Sequence, residues 1–243
     1  MKLWVLAVLL AACGDDGGKV TADARPDARP DAMIDAAIDA PPDAPPDAPP
    51  DAPCEHVLFT GGVDATAQGW TTYTIQPETV TLGADYSELA TSTPSGGKSG
   101  GQLLLALPGA IDGATPFRLQ FDLQVVAVNP HNQFDSAAAI LASLSDQVGN
   151  QAERSEMIYL DAAAIGFADD TQHAAFTNVD GNYHTYLVES DGAGTLTVSA
   201  DGTQLLTRTG FTTNGTIAVG DQTNDPNVDG TTRVRSVTLL CPL

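Results

Sequence analysis

The stretch that decides the fold is FRLQFDLQVV, residues 117–126, in which apolar and polar side chains alternate. Phe117, Leu119, Phe121, Leu123 and Val125 occupy every second position, and polar or charged residues lie between them. Successive side chains of a β-strand point to opposite faces. The stretch therefore predicts a strand with one buried face and one face in water, as in an antiparallel sheet packed against a core.

Similar runs recur along the chain and predict one all-β domain over residues 54–243. In TLTVSADGTQLLTR, residues 195–208, Asp201-Gly202 separates two runs and predicts a hairpin with a type I′ turn. No long stretch has a helical period. Strands are predicted over 56–60, 70–75, 102–107, 117–128, 137–144, 157–160, 163–168, 183–189, 195–200, 204–208, 216–220 and 231–240. The fold class expected is a two-sheet antiparallel sandwich.

The C-terminal half resembles the concanavalin A-like lectin/glucanase jelly roll, which includes laminin G-like domains. The residues that carry the resemblance are Tyr183-His184-Thr185-Tyr186, the hairpin from Gly194 to Thr203, and Gly220-Asp221-Gln222-Thr223 before the final strand. The resemblance implies a jelly roll whose closing strands return beside the first strand. By analogy of fold alone it implies binding of carbohydrate or protein.

Two cysteines flank this domain, Cys54 and Cys241. An exported protein meets an oxidising compartment, so we expect these two residues to form a disulfide. The resemblance also places them close together. In the chain-entropy model a bridge across so long a loop is worth up to about 5 kcal/mol. The alternative is two separate thiols.

The N-terminus resembles a bacterial lipoprotein signal peptide. Lys2 precedes an apolar run that is too short to span a bilayer, and Leu10-Ala11-Ala12-Cys13 is similar to a lipobox. The resemblance implies that residues 1–12 are removed and that Cys13 carries acyl chains such as palmitate, which anchor the protein to a membrane. Gly14 follows the cysteine, so sorting rules seen in some bacteria favour the outer membrane or cell surface. The alternative is an unmodified Cys13.

A repeat of low complexity fills most of residues 13–53. From Asp23 the chain runs through DARP, DARP, DAMI, DAAI, DAPP, DAPP, DAPP and DAPC. Proline removes amide donors and favours extended conformations, so we expect a disordered Pro/Asp-rich linker of polyproline II character. At about 3.1 Å per residue it would hold the domain up to about 90 Å from the membrane. A segment for partner docking or glycosylation is the alternative to such a stalk.

The domain is strongly acidic. From Cys54 onward, 21 Asp and Glu residues face six Lys and Arg residues, which gives a net charge of about −15. Such a charge repels phosphate backbones, so nucleic-acid binding is not expected. An excess of acidic residues by itself needs no specific function, because a charged surface keeps a protein soluble.

No catalytic residues are predicted. A glycosidase needs two carboxyl groups converging on one sugar. The acids of the run 153–161, Glu153, Glu156 and Asp161, are spaced by three and five, and odd spacings place neighbours on opposite faces of a strand. A glycoside hydrolase of the glucanase jelly-roll type is therefore kept only as an alternative, tested by Glu156→Gln.

The loop 221–229 is the single candidate for a metal site. Asp221, Asp225, Asn227 and Asp229 supply side-chain oxygens of the kind that Ca²⁺ prefers, although their spacing fits no EF-hand. The same residue types build ordinary turns. We expect no other cofactor.

Other candidates have structural explanations. The four histidines lack zinc-site spacing, and Gly96-Gly97-Lys98-Ser99 lacks the first glycine and the helix of a phosphate-binding loop. Trp70 and Tyr73 could stack on a sugar or belong to the core, and their solvent exposure in the structure distinguishes these roles.

The sequence thus predicts a lipid-anchored surface protein that displays a non-catalytic binding module for glycans or proteins, with no ligand-binding residue assigned. A purely structural envelope protein is a further alternative.

Overall fold

The stretch 117–126 lies in β6 (Phe117–Val128), the longest strand among the described residues, and its inward-facing apolar side chains are buried, whereas Val126 is exposed. The computed structural model describes residues 54–75, 78–92, 100–144 and 156–242. The predicted signal peptide, Cys13 and the linker lie outside the described residues, so these remain expectations. Among the described residues, no helix is long and apolar enough to cross a membrane.

Two antiparallel sheets form the domain, as the sequence predicted. In sheet A the strand order is β13-β12-β11-β6-β15-β4-β3, and β1 also pairs with β15. Its strands besides β6 are β1 (His56–Thr60), β3 (Thr81–Leu82), β4 (Ser87–Ala90), β11 (His184–Ser190), β12 (Thr195–Ala200), β13 (Thr203–Thr209) and β15 (Gly230–Leu240).

Sheet B has seven strands in the order β10-β9-β8-β7-β14-β5-β2. These are β2 (Thr71–Ile75), β5 (Gln102–Leu107), β7 (Ala139–Leu141), β8 (Met157–Asp161), β9 (Ala164–Phe167), β10 (His173–Ala175) and β14 (Ile217–Asp221). A short 3-10 helix, Thr66–Gln68, precedes β2. With sheet A, this arrangement is a two-sheet antiparallel sandwich.

The main core lies between the two sheets. It contains the inward side chains of β6, such as Leu119 and Phe121, together with Tyr186, Val219 and Ile158. Burying one such side chain contributes about 1.5–3 kcal/mol. The core therefore explains why one face of each long strand is apolar.

A second apolar cluster explains the continuous run in β5. Leu103 and Leu105 belong to the main core, whereas Leu104 and Ala106 face the outer side of sheet B. There they join residues of β7, β8 and β14, and the partly buried Phe134 and Leu144 pack against them. Both faces of β5 are thus buried, and the alternation seen in β6 is absent.

The two predicted local features are present. Asp201 and Gly202 have φ angles of 49° and 77°, as a type I′ hairpin between β12 and β13 requires. Cys54 and Cys241 form a disulfide across a sequence separation of 187. Because β1 pairs with the C-terminal half of β15, the two cysteines meet at the same end of sheet A.

Strands β3, β4 and β10 were not predicted. They contain only two, four and three residues, and they lack a sustained alternation. β4 pairs with β15 and with β3, and β10 pairs with β9, and these partners supply the hydrogen bonds that define the three strands. Such short segments carry too little pattern to be found without those partners.

Candidate functional site

A cavity of about 400 Å³ opens on the outer face of sheet A, near the C-terminus. Arg118 of β6, Glu189 of β11 and Thr197 of β12 lie side by side on three neighbouring strands and form its floor. The full lining consists of Pro116, Arg118, Glu189, Ser190, Asp191, Thr195, Thr197 and Pro242. We call this cavity the Arg118 pocket.

The cationic group of the Arg118 pocket is held in place by two contacts. The Nε of Arg118 donates to Oε1 of Glu189 at 2.7 Å, and its Nη1 donates to the carbonyl oxygen of Cys241 at 3.3 Å. Both side chains are one-quarter exposed, so solvent screens the pair and its main effect is to fix the guanidinium. The pocket floor thus presents an oriented donor beside a carboxylate.

One wall of the pocket is the turn between β11 and β12. Asp191 accepts hydrogen bonds from the amides of Ala193 at 2.7 Å and Thr195 at 2.8 Å. These backbone hydrogen bonds, that from Thr195 first, lower the pKa of the Asp191 carboxyl. Gly192 has a φ of 69°, and a Cβ there would lie 2.7 Å from the Pro116 nitrogen, so glycine is required where the turn meets the wall.

The pocket lining combines apolar surface with hydrogen-bonding groups. A small ring-shaped ligand that carries polar groups can contact both. Pro116 and Pro242 supply apolar faces, while Thr195, Thr197 and the acidic groups supply hydroxyl and carboxylate oxygens. The volume is within the range of about 300–1,000 Å³ that small-ligand sites occupy. The arrangement suits binding by apolar contact together with a few hydrogen bonds.

His131 lies in a second polar cluster, at the loop after β6. Its Nδ1 is 2.8 Å from Oδ2 of Asp161, its Nε2 is 2.9 Å from Oδ1 of Asp170, and its ring stacks on Tyr159 at 3.6 Å between centroids. Burial acts to lower the pKa of His131, but the hydrogen bonds to Asp161 and Asp170 outweigh it and raise the pKa. Through these contacts the ring joins this loop to the strand β8 and to the turn before β10.

His184 has the same arrangement in sheet A. Its Nδ1 is 2.7 Å from Oδ2 of Asp201, and its Nε2 is 3.2 Å from Oδ1 of Asp180. Phe176 and Tyr186 pack against the ring edge-to-face. The ring therefore connects the turn of the β12–β13 hairpin to the segment before β11, and this role goes beyond that of an ordinary strand residue.

Glu156 belongs to an ionic cluster at the β13 side of the sandwich. Nη1 of Arg208 is 3.5 Å from Oε2 of Glu156, and Nη2 of Arg208 is 2.5 Å from Oδ1 of Asp169. Burial raises the pKa of Glu156 more than the Arg208 charge lowers it. For Asp169, burial acts to raise the pKa, but hydrogen bonds from Thr171 and Arg208 outweigh it and lower the pKa.

The acids considered for hydrolysis make separate contacts. Glu156 faces Arg208, whereas Asp161 accepts hydrogen bonds from the amide and ring of His131. Glu153 lies outside the described residues, as does Gly96-Gly97-Lys98-Ser99.

The four predicted calcium ligands are divided between two environments. Asp221 and Asp229 are buried, whereas Asp225 accepts hydrogen bonds from the amide and side chain of Asn227 in an outer turn. Asp221 accepts hydrogen bonds from the Thr91 hydroxyl and from the amide of Thr223. Within the described ranges, no group of three or more His, Cys, Asp or Glu could hold a metal ion.

Solvent exposure distinguishes Trp70 from Tyr73, the two aromatic residues considered for stacking on a sugar. Trp70 is 2% exposed, contacts Phe59 edge-to-face, and donates its indole N–H to the carbonyl of Leu58 at 2.7 Å. It is a core residue. Tyr73 is 40% exposed and lies on β2, the end strand of sheet B.

Comparison with known proteins yields similarity in structure only. No protein-family model matches the chain, and no curated protein matches it in sequence. The chain is similar to the exoplasmic/lumenal domain of VIP36 in its Ca²⁺-bound form, with a TM-score of 0.50 and 13% identity over 77% of this chain and 90% of that one.

Two further structures give lower scores. One is the carbohydrate esterase vb_24B_21 from the Shiga toxin-encoding bacteriophage phi24B, at a TM-score of 0.49 and 14% identity over 76% of this chain and 98% of that one. The other is the potassium-bound carbohydrate recognition domain of Emp46p, at a TM-score of 0.46 and 11% identity over 77% and 97%. At such identities the likeness concerns the fold.

Sequence reasoning did not find the Arg118 pocket. Arg118 and Glu189 are 71 residues apart and each occupies a water-facing position of an alternating strand. Only the register of β6 and β11 brings them together. Oppositely charged residues on predicted strands were the available signal, and that signal does not specify a partner.

Proposed function

We propose that the protein is a lipid-anchored surface protein whose jelly-roll domain binds glycans in the Arg118 pocket without catalysis. The observation that carries the proposal is the lining of that pocket. Sugar rings have apolar C–H faces and a rim of hydroxyls, and the pocket offers proline faces beside oriented hydroxyl, carboxylate and guanidinium groups.

The charge of the pocket narrows the class of glycan. Arg118 is paired with Glu189, and Asp191 adds a second carboxylate whose pKa is lowered by backbone hydrogen bonds. The pocket is therefore acidic on balance at neutral pH. We infer that it prefers neutral or amino sugars over uronic or sulfated ones.

The binding test is a glycan panel screened with the full chain and two matched variants. Thr197→Val replaces a pocket hydroxyl with a methyl group, whereas Thr207→Val makes the same change at the neighbouring position of β13, outside the lining. Losing one hydrogen bond is expected to weaken binding by about tenfold for Thr197→Val. Thr207→Val should bind as the unchanged chain does.

Three outcomes would count against the proposal. A blank panel would favour a purely structural envelope protein. Binding that Thr197→Val leaves intact would place the ligand elsewhere. Release of hydrolysis products, abolished by Glu156→Gln, would favour the glycoside hydrolase alternative.

Anchoring is tested separately. We expect labelled palmitate to be incorporated into the full chain in a bacterial host and to be lost in Cys13→Ala, because the lipobox cysteine is the acylated residue in such proteins. Cell fractionation should then move the variant from the membrane to the soluble fraction. Unchanged fractionation of Cys13→Ala would contradict anchoring without affecting the glycan test.

A further inference from the structure

The two residues that follow the last strand are the starting point for an inference about control of the Arg118 pocket. β15 ends at Leu240, so Cys241 and Pro242 lie beyond the paired strands of sheet A. We call these two residues the C-terminal tail. Pro242 lines the Arg118 pocket, and the carbonyl oxygen of Cys241 accepts the hydrogen bond from Nη1 of Arg118. The tail therefore supplies both an apolar wall and a group that orients the guanidinium.

Noncovalent contacts hold the C-terminal tail only weakly. Pro242 is exposed and Cys241 is half-buried, so packing contributes little. In the described part of the chain, the hydrogen bond that reaches the tail comes from Arg118 and is 3.3 Å long, at the weak end of the range for N–H···O. The sulfur of Cys241 is joined covalently to Cys54. The disulfide is therefore the strongest attachment of the tail to the rest of the domain.

The other end of the disulfide adjoins a strand that is packed into the fold. Cys54 lies two residues before β1, and β1 pairs with the C-terminal half of β15, where His56 is opposite Leu239. Phe59 of β1 is buried in the main core and contacts Trp70 edge-to-face. We therefore expect β1 to keep its position when the disulfide is open, whereas the tail depends on the disulfide for its position.

The disulfide is accessible to a reductant in solution, because Cys54 is exposed. A disulfide is reduced when the thiolate of another thiol attacks one of its sulfur atoms. With a dithiol as reductant, the bond between Cys54 and Cys241 is replaced by two thiols, and the dithiol is oxidised to its own disulfide. This exchange separates the tail from the segment before β1 and breaks no hydrogen bond between strands.

We propose that the disulfide between Cys54 and Cys241 is a redox control of the Arg118 pocket. In the oxidised form the tail completes the pocket. In the reduced form the tail leaves the pocket, so Arg118 retains Glu189 but loses the carbonyl of Cys241, and the wall formed by Pro242 is lost. A preorganised site binds more tightly than one whose wall must be ordered by the ligand. The inference rests on the proposed binding of glycans in this pocket.

NMR of arginine side chains tests the link between the disulfide and the pocket without any ligand. In the full chain labelled with ¹⁵N-arginine, the Nε–H signal of Arg118 is assigned by its loss in Arg118→Lys. Reduction with dithiothreitol should shift this signal and leave that of Arg208, in the ionic cluster near β13, unchanged. Cys54→Ser should give the signal of the reduced chain and no response to dithiothreitol. An Arg118 signal that is identical before and after reduction would overturn the proposal.

Glycan affinity tests the consequence for binding. The glycan with the highest signal on the panel should bind the reduced chain about tenfold more weakly than the oxidised chain, as the loss of one pocket contact predicts. Pro242→Gly keeps the disulfide but removes the wall, so it should also weaken binding. Pro226→Gly is the matched control, because Pro226 is an exposed proline outside the lining. That variant should bind as the unchanged chain does.

The results distinguish failure of this inference from failure of the proposed function. A blank panel together with an Arg118 signal that responds to dithiothreitol would overturn glycan binding and still support the redox control of the pocket geometry. Equal affinity of the oxidised and reduced chains for a glycan whose binding Thr197→Val weakens would overturn the redox control alone. Far-UV circular dichroism checks the fold of the reduced chain. Its unfolding would also overturn the proposal, because the control requires a folded reduced form.

Discussion

Glu156 and Asp221 are both buried carboxyl groups associated with sheet B, and the protein compensates their burial differently. Glu156 faces the guanidinium of Arg208. Asp221 instead accepts hydrogen bonds from neutral groups, the Thr91 hydroxyl and the Thr223 amide. Burial raises the pKa of both carboxyls. For Asp221 the charges of Asp229 and Asp135 add to the effect of burial, and its pKa reaches about 8.

The comparison shows two ways to bury an acid. A carboxyl beside a cation is part of a charged network, and its removal or the removal of the cation costs stability at neutral pH. A carboxyl beside neutral donors stays protonated in the native state. Its burial therefore lowers the free energy of unfolding only as the pH rises. The predictions below test this distinction.

Arg208→Met is expected to have the largest effect. It leaves the buried Glu156 and the largely buried Asp169 without their cation, which should lower the free energy of unfolding by about 3–5 kcal/mol. Urea denaturation at pH 7 measures the loss. The matched control is Arg235→Met, because the Arg235 side chain is 41% exposed and pairs with Asp85 and Asp122. Its cost should stay below about 1 kcal/mol, and equal losses would contradict the comparison.

Asp221→Asn should change the pH dependence of stability. The folded pKa of Asp221, about 8, lies above the ordinary aspartate value of 3.8, so the native state holds a proton that the unfolded state releases between these two values. The unchanged chain should therefore lose stability as the pH rises through this window, at a slope of at most about 1.4 kcal/mol per pH unit from this group. Asparagine mimics the protonated form and removes that slope.

Thermal or urea unfolding of Asp221→Asn at pH 5 and at pH 8 checks this prediction. The variant should gain about 3–4 kcal/mol relative to the unchanged chain between the two pH values. Asp112→Asn, at an exposed turn, is the control and should show no such gain. A constant difference between Asp221→Asn and the unchanged chain would show that Asp221 is ionised in the native protein at both pH values.

Glu156→Gln should cost less than Arg208→Met. The amide keeps a polar group beside Arg208, and Arg208 retains Asp169, so no buried charge is left alone. We expect a loss of about 1 kcal/mol at pH 7. Because the pKa of Glu156 is raised, the unchanged chain gains stability as the pH falls and the native glutamic acid takes up its proton, so the deficit of Glu156→Gln should grow. Glu88→Gln, at the partly exposed pair with Arg233, serves as the control in the same urea titration.

Calcium is expected to have the smallest effect. Asp221 is bound to Thr91 and Thr223, Asp225 is bound to Asn227, and within the described residues no group of three or more His, Cys, Asp or Glu could hold a metal ion. After chelation, millimolar Ca²⁺ should shift the Tm by less than about 1 °C. A rise that Asp221→Asn abolishes would contradict this expectation and would support the calcium site predicted from the sequence.

Much of the fold could be predicted because its determinants are local. The alternation of β6, the Asp201-Gly202 turn and the apolar run of β5 each specify a strand or turn within a few residues. The disulfide was predicted from the oxidising compartment expected of an exported protein and from the resemblance to a jelly roll. Strand β4 was missed because its four residues depend on β15 for their pairing.

The candidate site could not be predicted because its determinants are not local. The Arg118 pocket requires the register of β6, β11 and β12, and it is also lined by Pro116 and Pro242, which are far apart in the sequence. The roles of His131 and His184 likewise depend on aspartates from distant turns. A sequence shows which residues face water, whereas the sheet order decides which of them meet.

The disulfide has a mechanical consequence. Arg118 donates to the carbonyl of Cys241, and Cys241 is covalently joined to Cys54, where the described domain begins. A pulling force applied to the chain before Cys54 enters β15 through a covalent bond as well as through β1. The disulfide therefore carries tension between the N-terminal side of the chain and the pocket floor, so the hydrogen bonds between β1 and β15 do not have to carry it. Under load, this edge of the sandwich resists separation of β1 from β15.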